Sequence, residues 1–547
     1  MAKKTNKTVA QQVAFCEDVV KDVKQDFLLR QQSRRNYELN WRLNLNFLMG
    51  NQYCSISPRG DVVQEDKFFF WQEKQVYNHI VPIVETRISR LLKNNARPTV
   101  RPFSNSDADV NSAQLSDKIL ATLHEKLRMD EVISRAVTWS ESCGTSFYKV
   151  TWQNSLLGEM PTQDVEVTVC PPFEIYPDSN LCQGLEDVNS LIHARVFSVD
   201  DVKRIWGKDV VGESVETFGL NDVAGVCGLG YNSTVSSIVR ECKDNHVLVI
   251  ERYTRPSTTC PNGKLEIVAG NQLLHFGDLP YKVGSQGQRD FPFVRQVAFL
   301  QPGCFWGSSV IDRLIPVQRA YNALKNRKHE FLNRLTMGIL MVEDGSVDTD
   351  NLEEEGLSPG KILVYRQGSK TPEIMDNGNV PVDFDKEESR LLDEFVAISG
   401  VSDFARNSTT PSNVTSGTAL QLIGEQDEMR MSSTLNEIST AVKRVAKMFL
   451  QLYKQFAGEN RLVRLIDGNN KAKLYYLSSS DVSEGDVVLD ADNEISGSLA
   501  TRRALLMELI ASGLLTDKDG NINEQYKTKV LNLLGIGVWE QEKDTAP

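Results

Sequence analysis

Two stretches of opposite charge and two polar segments hold the residues whose types could do chemistry. The first stretch carries Arg319, Lys325, Arg327, Lys328 and Arg334 against Glu330. The second carries Asp383, Asp385, Glu387, Glu388, Asp393 and Glu394 against Lys386 and Arg390. Side chains of these types either pair across a seam between elements or stay solvated. A third group is Glu343, Asp344, Asp348, Asp350, Glu353, Glu354 and Glu355. Such a cluster suits docking of a basic partner face, and equally a solvated loop. The fourth group, Arg406, Asn407, Ser408, Thr409 and Thr410, joins one cation to short polar side chains. That set fits weak phosphate-backbone contacts without sequence preference, and also an ordinary exposed loop.

Catalytic and cofactor motifs do not stand out. There is no GxxxxGK[ST], which excludes a P-loop motor. Gly225–Gly230 is glycine-rich but lies between no clear strand and helix, so it reads as a loop. The six histidines are isolated, with no HExxH and no CxxC, so no metal and no cofactor is expected. Asp517–Asn523 resembles a calcium loop only faintly, with its glycine misplaced, and reads as a helix–helix turn. No Ser/His/Asp or Cys/His arrangement stands out, and the chain is expected not to be an enzyme.

The 547 residues allow roughly two to four domains with real cores. A net charge of −12 sets the average surface against DNA, because proteins that neutralise phosphates are usually basic. No apolar run reaches the ~18 residues that span a bilayer. The start, MAKKTNKTVAQQ, lacks an apolar h-region, so no secretory signal is expected. Nine scattered cysteines read as reduced thiols of a cytosolic protein.

The elements that position the charged groups lie between Phe291 and Ala457. A helix is predicted over Ser308–Leu335, then an insert with two apolar runs, Met337–Val342 and Lys361–Tyr365. A second helix follows at Phe384–Ser399, a polar loop at Gly400–Gly417, and a very long helix at Thr418–Ala457, with Thr415 or Ser416 as N-cap. About 28 residues of helix span ~42 Å. Pro316 either kinks the first helix or sits in the first turn of one starting near Val317. Leu435, Ile438, Val442, Val445, Phe449 and Leu452 make an apolar stripe on the long helix, read as core packing. Long helices bracketing a small insert and a polar loop suit a ring subunit that lines a channel. Upstream, residues 1–77 read as helix then loop, broken at Gly50-Asn51. Within residues 78–101 a helix is predicted that ends before Arg97-Pro98, and further helices are predicted at Ser112–Leu127 and Asp130–Cys143. Strands are predicted at Ser146–Trp152, Asp164–Cys170, Leu191–Phe197, His246–Thr254 and Lys264–Ala269. A strand pair is predicted within 471–495 and two helices within 499–535. The fold class is α+β with an antiparallel tendency.

The order of these elements, with short motifs along them, resembles the portal proteins of tailed bacteriophages, and those of short-tailed phages in particular. Trp41, Phe47, Gly50, Gln52 and Tyr53 match an opening aromatic–Gly–Gln pattern. Asn78–Val84 and Arg97–Pro102 follow, then Ser140, Gly144 and Tyr148-Lys149-Val150. Pro171–Asp178, Gly307-Ser308, Gln318, Asn322 and Leu514–Gly537 complete the series. The resemblance covers nearly the whole chain. It implies a portal fold with wing, two-helix stem, small α/β clip, long wing helix and helical crown. On that basis residues 1–307 would be the N-terminal helices and α+β wing, 308–336 the first stem helix and 337–379 the clip. Residues 380–399 would be the second stem helix, 400–417 the tunnel loop, 418–495 the long wing helix with a strand pair, and 496–547 the crown.

The resemblance further implies a homo-oligomeric ring of about twelve subunits with closed symmetry. That ring would sit at one capsid vertex of the virion, after assembly in the host cytoplasm, and away from membranes. Double-stranded DNA would enter and leave through it. The terminase large subunit, major capsid and scaffolding proteins, and head-completion, adaptor and tail proteins would be its partners. The stem charges would then either pair within and between subunits or give the channel an acidic wall from which phosphates are repelled. Two other classes compete: a metal-dependent nucleic-acid enzyme, whose carboxylates would have to cluster in a rigid site, and a monomeric head adaptor.

Overall fold

The computed structural model describes residues 2–57, 62–64, 74–93, 98–102, 104, 106–157, 160–217, 241–284, 287–337, 339–345, 347, 364–375, 383–402, 417–456, 461–466, 472–477 and 486–489. The chain is mixed helix and sheet. It begins with α1 (Ala2–Leu48), β1 (Cys54–Ile56), β2 (Val62–Gln64), α2 (Ile80–Lys93), β3 (Pro98–Arg101), α3 (Asp107–Lys126) and α4 (Met129–Cys143). The strand-rich part follows: β4 (Thr145–Leu157), β5 (Met160–Cys170), β6 (Ile175–Pro177), β7 (Ser190–Ser198), α5 (Val199–Trp206), β8 (Glu213–Thr217), β9 (Glu241–Thr254), β10 (Lys264–Ala269), β11 (Gln272–Gly277) and β12 (Phe293–Val297). Last come α6 (Val310–Met337), β13 (Ile339–Met341), β14 (Glu373–Met375), α7 (Asp383–Ser399), α8 (Gly417–Phe456), β15 (Arg461–Ile466), β16 (Ala472–Leu477) and β17 (Asp486–Leu489). These fall into two compact units, Met1–Leu91 with Glu131–Ala441, and Leu92–Asp130 with Val442–Pro547.

The first unit is built in layers. One antiparallel sheet runs β11-β10-β9-β7-β6, with β8 also on β9, and a second runs β12-β4-β5. Alternation along the strands decides which side chain goes where. Leu191, Val247, Val249, Tyr253, Leu265 and Ile267 join Phe147, Phe293, Phe305 and Trp306 in one buried cluster between the sheets. The opposite parity, Ile192, Ala194, Ile250 and Val268, packs with Val20, Val23 and Phe27 of α1. Both faces of the larger sheet are therefore covered, which is why its strands are apolar at odd and even positions alike. Arg252 and Glu266 share the α1 side. Arg252 ties Glu266 (2.6 Å) to Asp22 of the helix (2.6 Å).

Gly144 (φ +87°) and Gly307 let two backbones touch. A Cβ on Gly144 would fall 2.3 Å from the Gly307 carbonyl oxygen. No other residue type fits there. Gly50 (φ +91°) ends α1 where the sequence places the break.

Several boundaries differ from the sequence reading. Helix α6, expected from Ser308, starts at Val310, because Ser309 and Asp312 cap it: Ser309 N donates to Asp312 (2.8 Å) and Ile311 N to Ser309 Oγ (3.0 Å). Pro316 lies inside that helix and not in its first turn. Ile339–Met341 pairs with Glu373–Met375, whereas Val364 and Tyr365 are exposed and in no strand. The partner strand is short and begins with an acid, so propensity does not reveal it. Lys361–Leu363 lies outside the described residues.

In the second unit, β15 pairs antiparallel with β16, and β17 with β3. The strand pair expected within 471–495 is thus two separate pairings. The nearer hairpin closes with less loop entropy and takes β16. Helix α3 is capped by Ser106, whose hydroxyl accepts from Asp109 N, and it buries Ala113, Ile119, Leu120 and Leu123. The helices expected within 499–535, and the 496–547 segment as a whole, lie outside the described residues.

Candidate functional site

The two oppositely charged helices pack together. Ile311, Leu314, Ile315 and Tyr321 of α6 share one buried cluster with Leu391 and Phe395 of α7. Above that apolar seam Lys325 pairs with Glu388, and Lys328 bridges Asp385 (2.6 Å) and Glu388 (3.0 Å). Burial pushes the Glu388 carboxyl up, but the hydrogen bonds and charges of Lys325 and Lys328 more than reverse this and hold it below its ordinary value. The other candidates lie elsewhere. Arg319 donates to the Cys54 carbonyl (2.8 Å), with its guanidinium 5.2 Å from the Phe47 ring centre. Glu387 and Glu394 flank Arg390 on their own helix, at 3.7 Å and 3.5 Å. Arg327 is exposed. The Arg334 side chain lies outside the described residues.

On another face of α6, Gln318, Asn322 and Asn326 stand one helical turn apart and hold the extended segment before α2. Gln318 donates to Tyr77 O (2.7 Å) and accepts from His79 N (3.1 Å). Asn322 accepts from Tyr77 N (3.0 Å) and donates to Gln52 (2.7 Å). Asn326 accepts from Gln75 N (3.1 Å) and donates to Gln75 O (3.1 Å) and to the Tyr53 hydroxyl. Gln52, Tyr53, Gln318 and Asn322 are motif residues of the sequence resemblance, and the fold gives them one shared job. Asn326 was not singled out; amides repeating every four residues on one helix were the available signal.

The polar loop is held at its start. Arg87 donates through Nε to Glu141 Oε2 (2.7 Å) and through Nη1 to the carbonyl of Ser399, the last residue of α7 (3.1 Å). Both partners of that ion pair are buried. Ser402 then donates from Oγ to Asp427 of α8 (2.7 Å), which also takes Arg90 (2.9 Å). Sequence reasoning missed Arg87, Glu141 and Asp427, since lone charges in amphipathic helices carry no spacing signal.

A second polar cluster is buried between the two sheets. Lys149 donates to Glu251 (2.6 Å), Tyr253 donates to the same oxygen (2.7 Å), and His193 Nδ1 lies 3.3 Å from it. The other ring nitrogen, Nε2, faces Glu174 (3.3 Å) and the Cys170 thiol (3.6 Å). Burial and Lys149 push the His193 ring down, whereas Cys170 and Glu174 push it up; the net position is well above the usual value. Burial likewise raises Glu251, but Lys149 and His193 hold it below the carboxylate range. Spacing in the sequence hid this group because His193 reaches it from a different strand.

A family model described as phage P22-like portal protein matches residues 71–499. The chain belongs to that family. Comparison with the curated proteins gave no match. The portal match spans the helix pair, the polar loop and both sheets. Of the positions expected to matter in a portal, Arg406, Asn407, Ser408, Thr409 and Thr410 lie outside the described residues, as do Asp348, Asp350, Glu353, Glu354 and Glu355. Glu343 and Asp344 are exposed just after β13, and Glu343 accepts from Lys370 N (3.2 Å). Among the described residues no helix is long and apolar enough to cross a membrane.

Proposed function

We propose that this chain is the portal subunit of a tailed phage, one of about twelve in a closed ring at a single capsid vertex. The family match over residues 71–499 carries the reading. In it, α6 and α7 are the stem helices, 337–379 the clip, 400–417 the tunnel loop, 418–495 the long wing helix and its strands, and 496–547 the crown. Double-stranded DNA passes through the ring during packaging and ejection. The terminase motor docks at the clip, and later the head-completion and tail proteins do. The chain does no catalysis; its work is geometric.

The chemistry of the helix pair agrees with that role. A 28-residue helix is ~42 Å long, enough for a tube wall. Lys325 and Lys328 are engaged by acids of the same chain; along the outer side of α7, Asp383, Glu387, Asp393 and Glu394 outnumber the exposed Lys386 and Arg390 that partly pair with them, so the face is net acidic. An acidic surface repeated around a ring repels phosphates and lets DNA slide.

Particle mass and class-averaged electron microscopy of the purified full chain test this, alone and co-expressed with capsid and scaffolding proteins. A ring with an open centre, in either condition, is the expected result. A closed oligomer without a channel, or a monomer that capsids never incorporate, would overturn it.

A further inference from the structure

Cys170 ends β5, Glu174 ends the short 3-10 turn Pro172–Glu174 that follows, and His193 lies in β7. One donor atom from each lies within 4.8 Å of the other two. A tetrahedral zinc with bonds of about 2.3 Å to sulfur and about 2.0 Å to nitrogen and oxygen has S–N edges of about 3.5 Å and N–O edges of about 3.3 Å. The two edges that meet at His193 Nε2 measure 3.6 Å to Cys170 Sγ and 3.3 Å to Glu174 Oε2. The third edge, from Cys170 Sγ to the Glu174 carboxylate, lies within 4.8 Å.

The surroundings of the ring give a second, independent indication. His193 Nδ1 faces the Glu251 carboxylate at 3.3 Å. Once Nε2 takes the metal, a carboxylate on the far nitrogen holds the proton that stays on the ring, as in carboxylate–histidine–zinc arrangements. Among the described residues Lys149 is the cation recorded against this ring, 3.3 Å from Nδ1, and it is engaged by Glu251 at 2.6 Å. The outer pair is therefore neutral. A Cys170 thiolate and the Glu174 carboxylate together balance a divalent ion. Sulfur with imidazole favours zinc over calcium or magnesium. Cys170 and His193 are each only 3% exposed, whereas the Glu174 side chain is 26% exposed and offers a way in for the ion and for a water as fourth ligand.

We propose that Cys170, Glu174 and His193 form a zinc site with one water, oriented by Glu251, which staples the end of β5 and the turn after it to β7. The Cys170 thiol and the His193 Nε2–H give up their protons to solvent on binding, and nothing else changes covalently. Its role is to lock the two sheets together.

The test uses the full chain, stripped with a chelator and titrated with cobalt(II) as the probe. One equivalent should give a near-ultraviolet sulfur-to-cobalt charge-transfer band with visible bands of tetrahedral intensity, and one equivalent of zinc should bleach them. Cys170→Ser should lose the charge-transfer band, and His193→Gln should weaken binding by roughly 10-fold or more. If either buried variant fails to fold, Glu174→Gln decides, since it sits on a half-exposed turn. It should weaken cobalt binding with the circular dichroism of the chain unchanged. No uptake at one equivalent, or a Glu174→Gln spectrum and affinity equal to those of the unmodified chain, would overturn the site.

Discussion

At Arg87 a single guanidinium serves both a buried carboxylate and the last carbonyl of a helix. Removing it leaves Glu141, fully buried, without a cation. Breaking such a pair costs about 3–5 kcal/mol, most of it the penalty of the stranded charge. Arg87→Met is therefore expected to lower unfolding stability by that amount in urea titration. Glu141→Leu added to it should recover much of the loss, because the stranded charge goes too. A single-variant loss under about 1 kcal/mol would mean that the pair is solvated in solution. The amide ladder follows the same logic. Asn322 satisfies Tyr77 N and Gln52 at once, so its value lies in polar groups that would otherwise be buried unpaired.

The helix pair carries two charge seams that substitution can separate. Lys328 faces α7 of its own chain, whereas Arg327 is exposed and points to no acid of α7 among the described residues. Lys328→Glu is expected to destabilise the monomer by roughly 1 kcal/mol or somewhat more, since repulsion replaces attraction. Arg327→Glu is expected to leave monomer unfolding within about 0.5 kcal/mol and instead to weaken ring assembly, read as a higher concentration for half-assembly in sedimentation. Unchanged assembly would place the subunit contact elsewhere.

The same seam sets a pH dependence. The Glu388 carboxyl is held below its unfolded value, so its stabilisation is complete above about pH 5 and is lost as pH falls through the lowered value. Hydrogen bonds to Asp385 and Glu388 raise Lys328, so its contribution holds through neutral pH and is lost only as pH rises past that raised value. Unfolding of Glu388→Gln against the unmodified chain should thus show a constant gap from pH 5 to 9 that closes in acid. A gap that widens in acid would contradict the pairing. Helices of this length were legible because capping residues, a 3.6-residue apolar period and blocks of charge agree. The β13–β14 pairing was not, because three-residue strands carry too little pattern to outweigh a louder apolar run at 361–365.

Across the whole molecule, period-two alternation located β4, β5, β7, β9 and β10, but the sequence could not say that both faces of the larger sheet are covered. That follows only once α1 lies on one side and the β12-β4-β5 sheet on the other. The same long-range closure brings Cys170 to His193 and Gly144 to Gly307, contacts that no local spacing encodes. In the proposed function the polar loop is the segment that meets DNA, and the fold holds its start. Arg87 fixes Ser399 and Asp427 fixes Ser402, so the chain enters residues 403–416 from an anchored point. Replacing 403–416 with a short Gly/Ser linker leaves those anchors, the α6–α7 seam and both sheets untouched. Ring formation should then match that of the unmodified chain in electron microscopy. Packaged DNA, measured as full-length genome per particle, should fall several-fold if the loop grips or gates the duplex by sequence-independent backbone contacts. Normal packaged length and retention in particles built from intact rings would remove the loop from that role and leave the acidic helix wall as the part that meets DNA.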